Sequence, residues 1–200
     1  MNFCRSLIIV CSILPLSILA QLDSTTLSIQ KTYFSLSDAL QQPDSVYKLN
    51  ISKKKIKTWP NEIYKFKNLQ VLNISKNDLT TLPDSIYLLN NLQVLIASNN
   101  KLTAIPANIG ALKGLTHINF NRNLIVTMPV EIGNLQALEV LEMWDNELDT
   151  IPDEIKNLGN LRILELRGIL FSEDDQRYIK KLVPHAHVYF SPWCACANKF

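Results

Sequence analysis

Leu69-Gln70-Val71-Leu72-Asn73-Ile74-Ser75-Lys76-Asn77-Asp78-Leu79 is the stretch whose pattern organises the chain. Shifted by 23 residues, its slots hold Leu92, Leu95, Ala97, Asn100 and Leu102. Further steps give Leu115, Ile118, Phe120, Asn123 and Ile125, then Leu138, Leu141, Met143, Asn146 and Leu148. Upstream, Val46, Leu49, Ile51, Lys54 and Ile56 keep the frame, with Lys54 in the asparagine slot. Downstream, Leu161, Leu164 and Leu166 keep it until Ile169 takes that slot. Six copies at one spacing describe a supersecondary unit that buries its apolar face by stacking on its neighbours.

Within each copy, the period-two alternation around Leu72 and Ile74 predicts a short strand. Successive strands then pair in parallel, roughly 4.8 Å apart. The asparagine slot falls where the chain turns off the sheet. There a buried amide can satisfy stranded backbone groups and stack with its neighbours. Lys54 and Ile169 cannot make that pattern and mark the first and last coils. The second half is as regular: Trp59-Pro60, Leu82-Pro83, Ile105-Pro106, Met128-Pro129 and Ile151-Pro152 each precede apolar residues spaced by three. Proline starts a helical turn readily because its missing N–H is not needed there. The spacing of three predicts 3-10 or short α turns.

The pattern L-x-x-L-x-L-x-x-N-x-L across residues 46–171 resembles the leucine-rich repeat family. Its L-P-x-x-I-x-x-L half is similar to the 23-residue subclass of Ras-associated and many bacterial proteins. The resemblance implies an α/β solenoid with a curved parallel sheet on the concave side, short turns on the convex side and non-repeating caps. It also implies a non-catalytic recognition module for a protein or peptide, without a cofactor. The absence of cysteines between Gln21 and Ser45 fits secreted bacterial members better than eukaryotic ones.

The flanks complete the organisation. Residues 1–20 carry Arg5, an apolar middle broken by Pro15 and a small residue at Ala20, which predicts a signal peptide cleaved near Ala20. That predicts a secreted, periplasmic or cell-surface protein with no transmembrane segment in the mature chain. The alternative is an intracellular scaffold of the Ras-associated type. Residues 21–45 form an N-terminal cap, with Ser35 or Ser37 starting a short helix that ends by Pro43. Residues 172–190 form a C-terminal cap, a helix opened by Ser172-Glu173-Asp174-Asp175 and an edge strand at His187–Phe190. Residues 191–200 are a tail.

Net charge of +2 gives no footprint for a nucleic acid. It conceals an asymmetry: eight lysines and one acid lie between Val46 and Lys76, twelve acids and three basic residues between Glu131 and Asp175. A solenoid keeps sequence order in space, so one end is predicted basic and the other acidic. No G-x-S-x-G, phosphate-binding loop or H-E-x-x-H is present. His185, His187, Cys194 and Cys196 are weak metal candidates, since i and i+2 on a strand share a face. Their spacing matches no common zinc motif, and oxidation of the two cysteines is the competing fate.

The positions between the buried slots are displayed. One row is Lys48, Val71, Val94, His117, Val140 and Ile163. The next is Asn50, Asn73, Ile96, Asn119, Glu142 and Glu165, and the third Ser52, Ser75, Ser98, Asn121, Trp144 and Arg167. Trp144 is the expected anchor, because aromatic residues on wet surfaces are enriched at binding hot spots. His117, Asn119, Asn121, Arg122, Glu142, Asp145, Glu165 and Arg167 surround it as candidate partner-binding residues.

Overall fold

The computed structural model describes residues 21–192. The expected signal peptide and the two tail cysteines, Cys194 and Cys196, lie outside the described residues. Eight strands form one sheet in sequential order: β1 (Thr32–Tyr33), β2 (Lys48–Asn50), β3 (Val71–Asn73), β4 (Val94–Ile96), β5 (His117–Asn119), β6 (Val140–Glu142), β7 (Ile163–Leu166) and β8 (His187–Phe190). Every pairing is parallel, and Leu49, Leu72, Leu95, Ile118, Leu141 and Leu164 stand in one file. Short 3-10 turns return the chain at Asn61–Lys65, Asp84–Leu88, Ala107–Ala111, Val130–Asn134 and Asp153–Asn157. Each follows the repeat proline, which sits extended just before the turn.

One apolar column runs the length of the solenoid. Leu72, Leu95, Ile118, Leu141 and Leu164 meet Ile63, Ile86, Ile109, Ile132 and Ile155 from the turns, all fully buried. Each such side chain contributes about 1.5–3 kcal/mol by leaving water. The turns approach closely where glycine stands opposite glutamate. A Cβ on Gly110 would lie 2.4 Å from the Glu131 carbonyl, and one on Gly133 2.4 Å from that of Glu154. The same slot holds Tyr64 in the first coil, where the facing residue is the smaller Ser85 and the two hydroxyls bond at 2.6 Å.

Asn77 accepts from the N–H of Lys54 and of Ile56 and donates to the carbonyls of Ile51 and Ile74, all within 3.1 Å. Asn100, Asn123 and Asn146 donate to the equivalent pairs of carbonyls and accept one N–H each, from Leu79, Leu102 and Ile125. The ladder therefore runs amide to main chain and on to the next amide, rather than by the direct stacking of asparagines expected above. Lys54, in the first coil, turns its side chain to solvent, while Ile169 is buried in the last.

Both caps extend the sheet. The helix expected near Ser35 is α2 (Leu36–Ala39), with the Ser35 hydroxyl accepting from the Asp38 N–H. An additional helix, α1 (Ser24–Ile29), and β1 precede it, and Lys48 donates to the carbonyls of Leu27 and Ser28 at the end of α1. The other end is closed by α3 (Glu173–Leu182), whose Ser172 and Asp175 form a capping box. In β8 the frame slips by one residue: His187 pairs with Ile163 and Tyr189 with Glu165, a spacing of 24. A ten-residue helix has replaced the short turn, so the 23-residue spacing no longer applies.

Candidate functional site

The displayed rows lie where the alternation places them, because strand register holds each slot in file. His117 stands between Val94 and Val140, and Glu142 between Asn119 and Glu165. The amino-terminal half of this open face is plain. Asn50 and Asn73 turn their side-chain oxygens back to accept from the N–H of Ser52 and Ser75.

The carboxy-terminal half is cross-linked. Glu142 Oε2 takes Nε2 of His117 at 2.8 Å and the Asn119 amide at 2.6 Å. Asn119 Oδ1 accepts from the Asn121 N–H, and Asn121 Oδ1 from the Trp144 N–H at 2.7 Å. Trp144 is half-buried: the Arg122 guanidinium lies over its ring at 4.3 Å. Arg122 also faces Asp145 at 3.8 Å. Glu165 is 7% exposed and holds Arg167 through both carboxylate oxygens, at 2.6 to 3.0 Å. That bond raises the Arg167 pKa above its ordinary value, chiefly through the hydrogen bond and then the carboxylate charge.

All nine expected residues therefore belong to one face and its rim, but their polar groups are largely occupied by one another. Trp144 is one-sided rather than fully displayed, since a planar cation satisfies the face of an aromatic ring better than water does. Two aromatic or apolar residues extend the patch. Tyr189, 41% exposed, lies under Arg167 at 5.6 Å and beside His187 at 5.5 Å; Ile163 is 37% exposed. Ile163 was legible as a row member. Tyr189 was not, because the one-residue slip into β8 moves it onto the open face.

The rim of this face carries a feature the pattern did not reveal. Lys53, Lys76, Asn99, Arg122 and Asp145 all adopt positive φ between 55° and 59°, and Gly168 continues the column at 77°. Only the last residue is glycine, so composition gave little warning of a repeated left-handed corner. The signal that could have shown it is Asn99, Asp145 and Gly168 in one slot, the residue types that tolerate this conformation.

His185 and His187 do not share a strand face. His185 stands in the turn before β8 and donates Nε2–H to the Leu158 carbonyl at 3.0 Å, whereas His187 belongs to the strand. Among the described residues no group of three or more His, Cys, Asp or Glu is placed to hold a metal ion. A hollow of about 320 Å³ lies away from the open face, between the last turn and α3, where the Tyr178 hydroxyl donates to Asp153 at 2.7 Å. It is the seam of the carboxy-terminal cap.

Comparisons with known proteins agree with this architecture. A family profile described as a leucine-rich repeat region matches residues 81–186, and another, described as leucine rich repeat, residues 44–102. Among solved structures, a leucine-rich repeat protein of Leptospira interrogans is 32% identical, with a TM-score of 0.67 over 83% of this chain and 49% of that one. This chain thus spans about half that protein's length. Internalin C2 of Listeria monocytogenes, 20% identical, shares the fold with a TM-score of 0.65 over 76% of this chain and 64% of its own. The leucine-rich repeat ectodomain of a plant membrane receptor kinase from Arabidopsis thaliana, solved in complex with Casparian strip integrity factor 2, is 26% identical. Its TM-score is 0.57 over 63% of this chain and 16% of that one. No curated protein matches.

Proposed function

The chain belongs to the leucine-rich repeat family, whose members mediate protein–protein recognition, and on that premise we propose that it binds a protein or peptide through the concave, open face of its sheet, without catalysis. The binding patch centres on Trp144, with His117, Asn119, Asn121, Arg122, Glu142, Asp145, Glu165 and Arg167 around it. The observation that carries this reading is the clamping of Trp144 under Arg122, at 4.3 Å, on a face whose polar groups are already paired. A fixed aromatic surface loses little conformational entropy on binding, so more of its contact energy remains as affinity. Solenoid sheets present such extended surfaces to partners.

The protein acts after export, in the periplasm, at the cell surface or in the medium. Residues 1–20 support this by their charged start, apolar middle and small residue at Ala20. No helix among the described residues is long and apolar enough to cross a membrane. Amino-terminal sequencing of the protein recovered from expressing cells is the test. A start at Gln21 agrees with export, and an intact Met1 favours the alternative, an intracellular scaffold of the Ras-associated type. The binding site is tested by capture on immobilised wild type and Trp144→Ala. A partner retained equally by both would remove Trp144 from the site.

A further inference from the structure

One rim of the solenoid carries two charge triplets in the same three repeat slots. Number the coils one to six from β2 to β7. In coil one the slots hold Lys53, Lys55 and Lys57; in coil five they hold Asp145, Glu147 and Asp149, each 92 residues, or four periods, further on. All six side chains are exposed. Lys53, Asp145, Glu147 and Asp149 stand in three hydrogen-bonded backbone files, while Lys55, at a positive φ of 58°, and Lys57 share the repeat slots of the second and third. The first runs through the N–H of Lys53, Lys76, Asn99, Arg122 and Asp145, each donating to the next coil's carbonyl. The second runs through Asp78, Lys101, Leu124 and Glu147, and the third through Thr103, Val126 and Asp149, donating to the preceding coil. Both triplets therefore occupy the same repeat slots on one rim, about 19 Å apart at the strand spacing of a sheet, with Asp149 also bordering the hollow beside α3.

In the coils between them the same slots hold three cations, Lys76, Lys101 and Arg122, and one acid, Asp78. Asp78 holds Lys101 at 2.6 Å, and its pKa is lowered by that hydrogen bond first, then by the charges of Lys101, Lys57 and Lys55. Coil four offers Arg122, Leu124 and Val126, and Leu124 is 44% exposed. Next to the acidic triplet, a hollow of about 260 Å³ opens on this rim, lined by Arg122, Leu124, Asp145 and Glu147. None of Lys53, Lys55 and Lys57 takes part in an ion pair among the described residues, and of the acidic triplet Asp145 alone has one, its 3.8 Å approach to Arg122.

We infer that this rim docks a second copy of the chain, antiparallel, about a two-fold axis through coil three. That axis sets coil one of each copy against coil five of the other, so the same lysine–carboxylate contact forms twice. A side-by-side parallel arrangement would oppose like charges in both contacts. A head-to-tail stack would have to meet at the ends, which α1, β1 and α2 close on one side and α3 and β8 on the other. Two identical patches that complement each other under a two-fold close into a dimer rather than a fibre. The open sheet face stays free for the partner proposed above except at Arg122 and Asp145, which border both surfaces, and Lys57→Glu and Asp149→Lys, outside that patch, test the dimer separately from partner binding.

Sedimentation of the purified protein tests the inference. At about 50 mM salt it sediments as a dimer, and its dissociation constant rises about tenfold by roughly 300 mM, because exposed pairs are screened as the Debye length shortens. Lys53→Glu/Lys55→Glu/Lys57→Glu makes both ends acidic, and Asp145→Lys/Glu147→Lys/Asp149→Lys makes both basic. Each triple variant alone is a monomer, and an equimolar mixture of the two forms a heterodimer. The single reversals Lys57→Glu and Asp149→Lys, at residues outside the left-handed column, weaken the dimer in the same direction. A monomeric wild type at low salt, growth beyond the dimer with concentration, or no heterodimer on mixing folded variants would each overturn the two-fold.

Discussion

The two halves of the open sheet face share one backbone and one register yet differ in almost everything a partner would meet. From β2 to β4 the displayed residues are lysine, valine, asparagine, serine and isoleucine, and the asparagines bond only to their own strand ends. From β5 to β8 the same slots carry His117, Glu142, Trp144, Glu165, Arg167 and Tyr189, joined across strands by hydrogen bonds and by arginines over aromatic rings. The buried slots do not register this difference: Leu72 and Leu141 are equally inaccessible. Buried and displayed residues thus alternate along the same strands, and on the proposed reading the first set builds the scaffold and the second meets the partner.

The largest effect sharpens that division from the scaffold side. Asn123→Ala leaves the Ala97 and Phe120 carbonyls and the Leu102 N–H without their partner in a buried corner. It is expected to cost about 3 kcal/mol, since each unsatisfied buried group costs roughly 1–3 kcal/mol. Urea unfolding reads this directly. Lys54→Ala, in the solvent-facing version of the same slot, is expected to stay within about 0.5 kcal/mol. Equal losses at the two positions would mean that the ladder does not carry the interior coils.

Next comes the close approach of the turns. Gly133→Ala puts a methyl 2.4 Å from the Glu154 carbonyl oxygen, a backbone atom that cannot swing aside. Overpacking of this kind costs about 1–3 kcal/mol. Gly159→Ala meets nothing within 4 Å and serves as the control. Thermal melts that fall equally for both would remove the steric argument.

On the proposed reading, the carboxy-terminal half of the face predicts smaller changes in stability and larger ones in binding. Arg122→Ala uncovers Trp144 and is expected to lower stability by only about 0.5–1 kcal/mol, the worth of an exposed cation–ring contact. Partner affinity should fall more than stability, because the indole is then free to reorient. Glu142→Ala removes the shared acceptor of His117 and Asn119. On a half-exposed face it should cost no more than about 1 kcal/mol. Asn73→Ala in the plain half should leave partner capture unchanged, and a loss there would extend the site across the whole face.

The smallest effect concerns the amino-terminal cap. The Asp23 carboxyl is held well below the ordinary carboxylate range by the Thr25 hydroxyl, then by the N–H and hydroxyl of Thr26. Its folded pKa is depressed. Its contribution is therefore complete above the ordinary pKa of about 3.9 and is lost as pH falls below it towards the folded value. Amide exchange at Leu27 should quicken on acidification before that of Leu72, and Asp23→Asn should abolish the difference in pH dependence.

The period alone located the strands, the proline-led turns, the ladder asparagines and the inward residues, because every neighbour in a solenoid is the same slot one period away. The same argument placed all nine candidate residues on one face and its rim. It failed wherever the period lapses. The helix α1 and strand β1 precede the first coil, and the slip into β8 follows a helix ten residues long, so Tyr189 and the separation of His185 from His187 were not legible. It also gave no account of the left-handed rim, where lysine and arginine stand in for the usual glycine.

From its sequence alone, then, this chain determines a repeating backbone with two classes of residue, those that stack and those that are shown. Only the tertiary structure decides what the shown residues do to one another. Arg122 covers Trp144, Glu142 is shared by His117 and Asn119, and Arg167 closes over the buried Glu165. The physical reason is range. Burial follows from alternation over a few residues, whereas pairing depends on side-chain rotamers meeting across strands 23 to 25 residues apart.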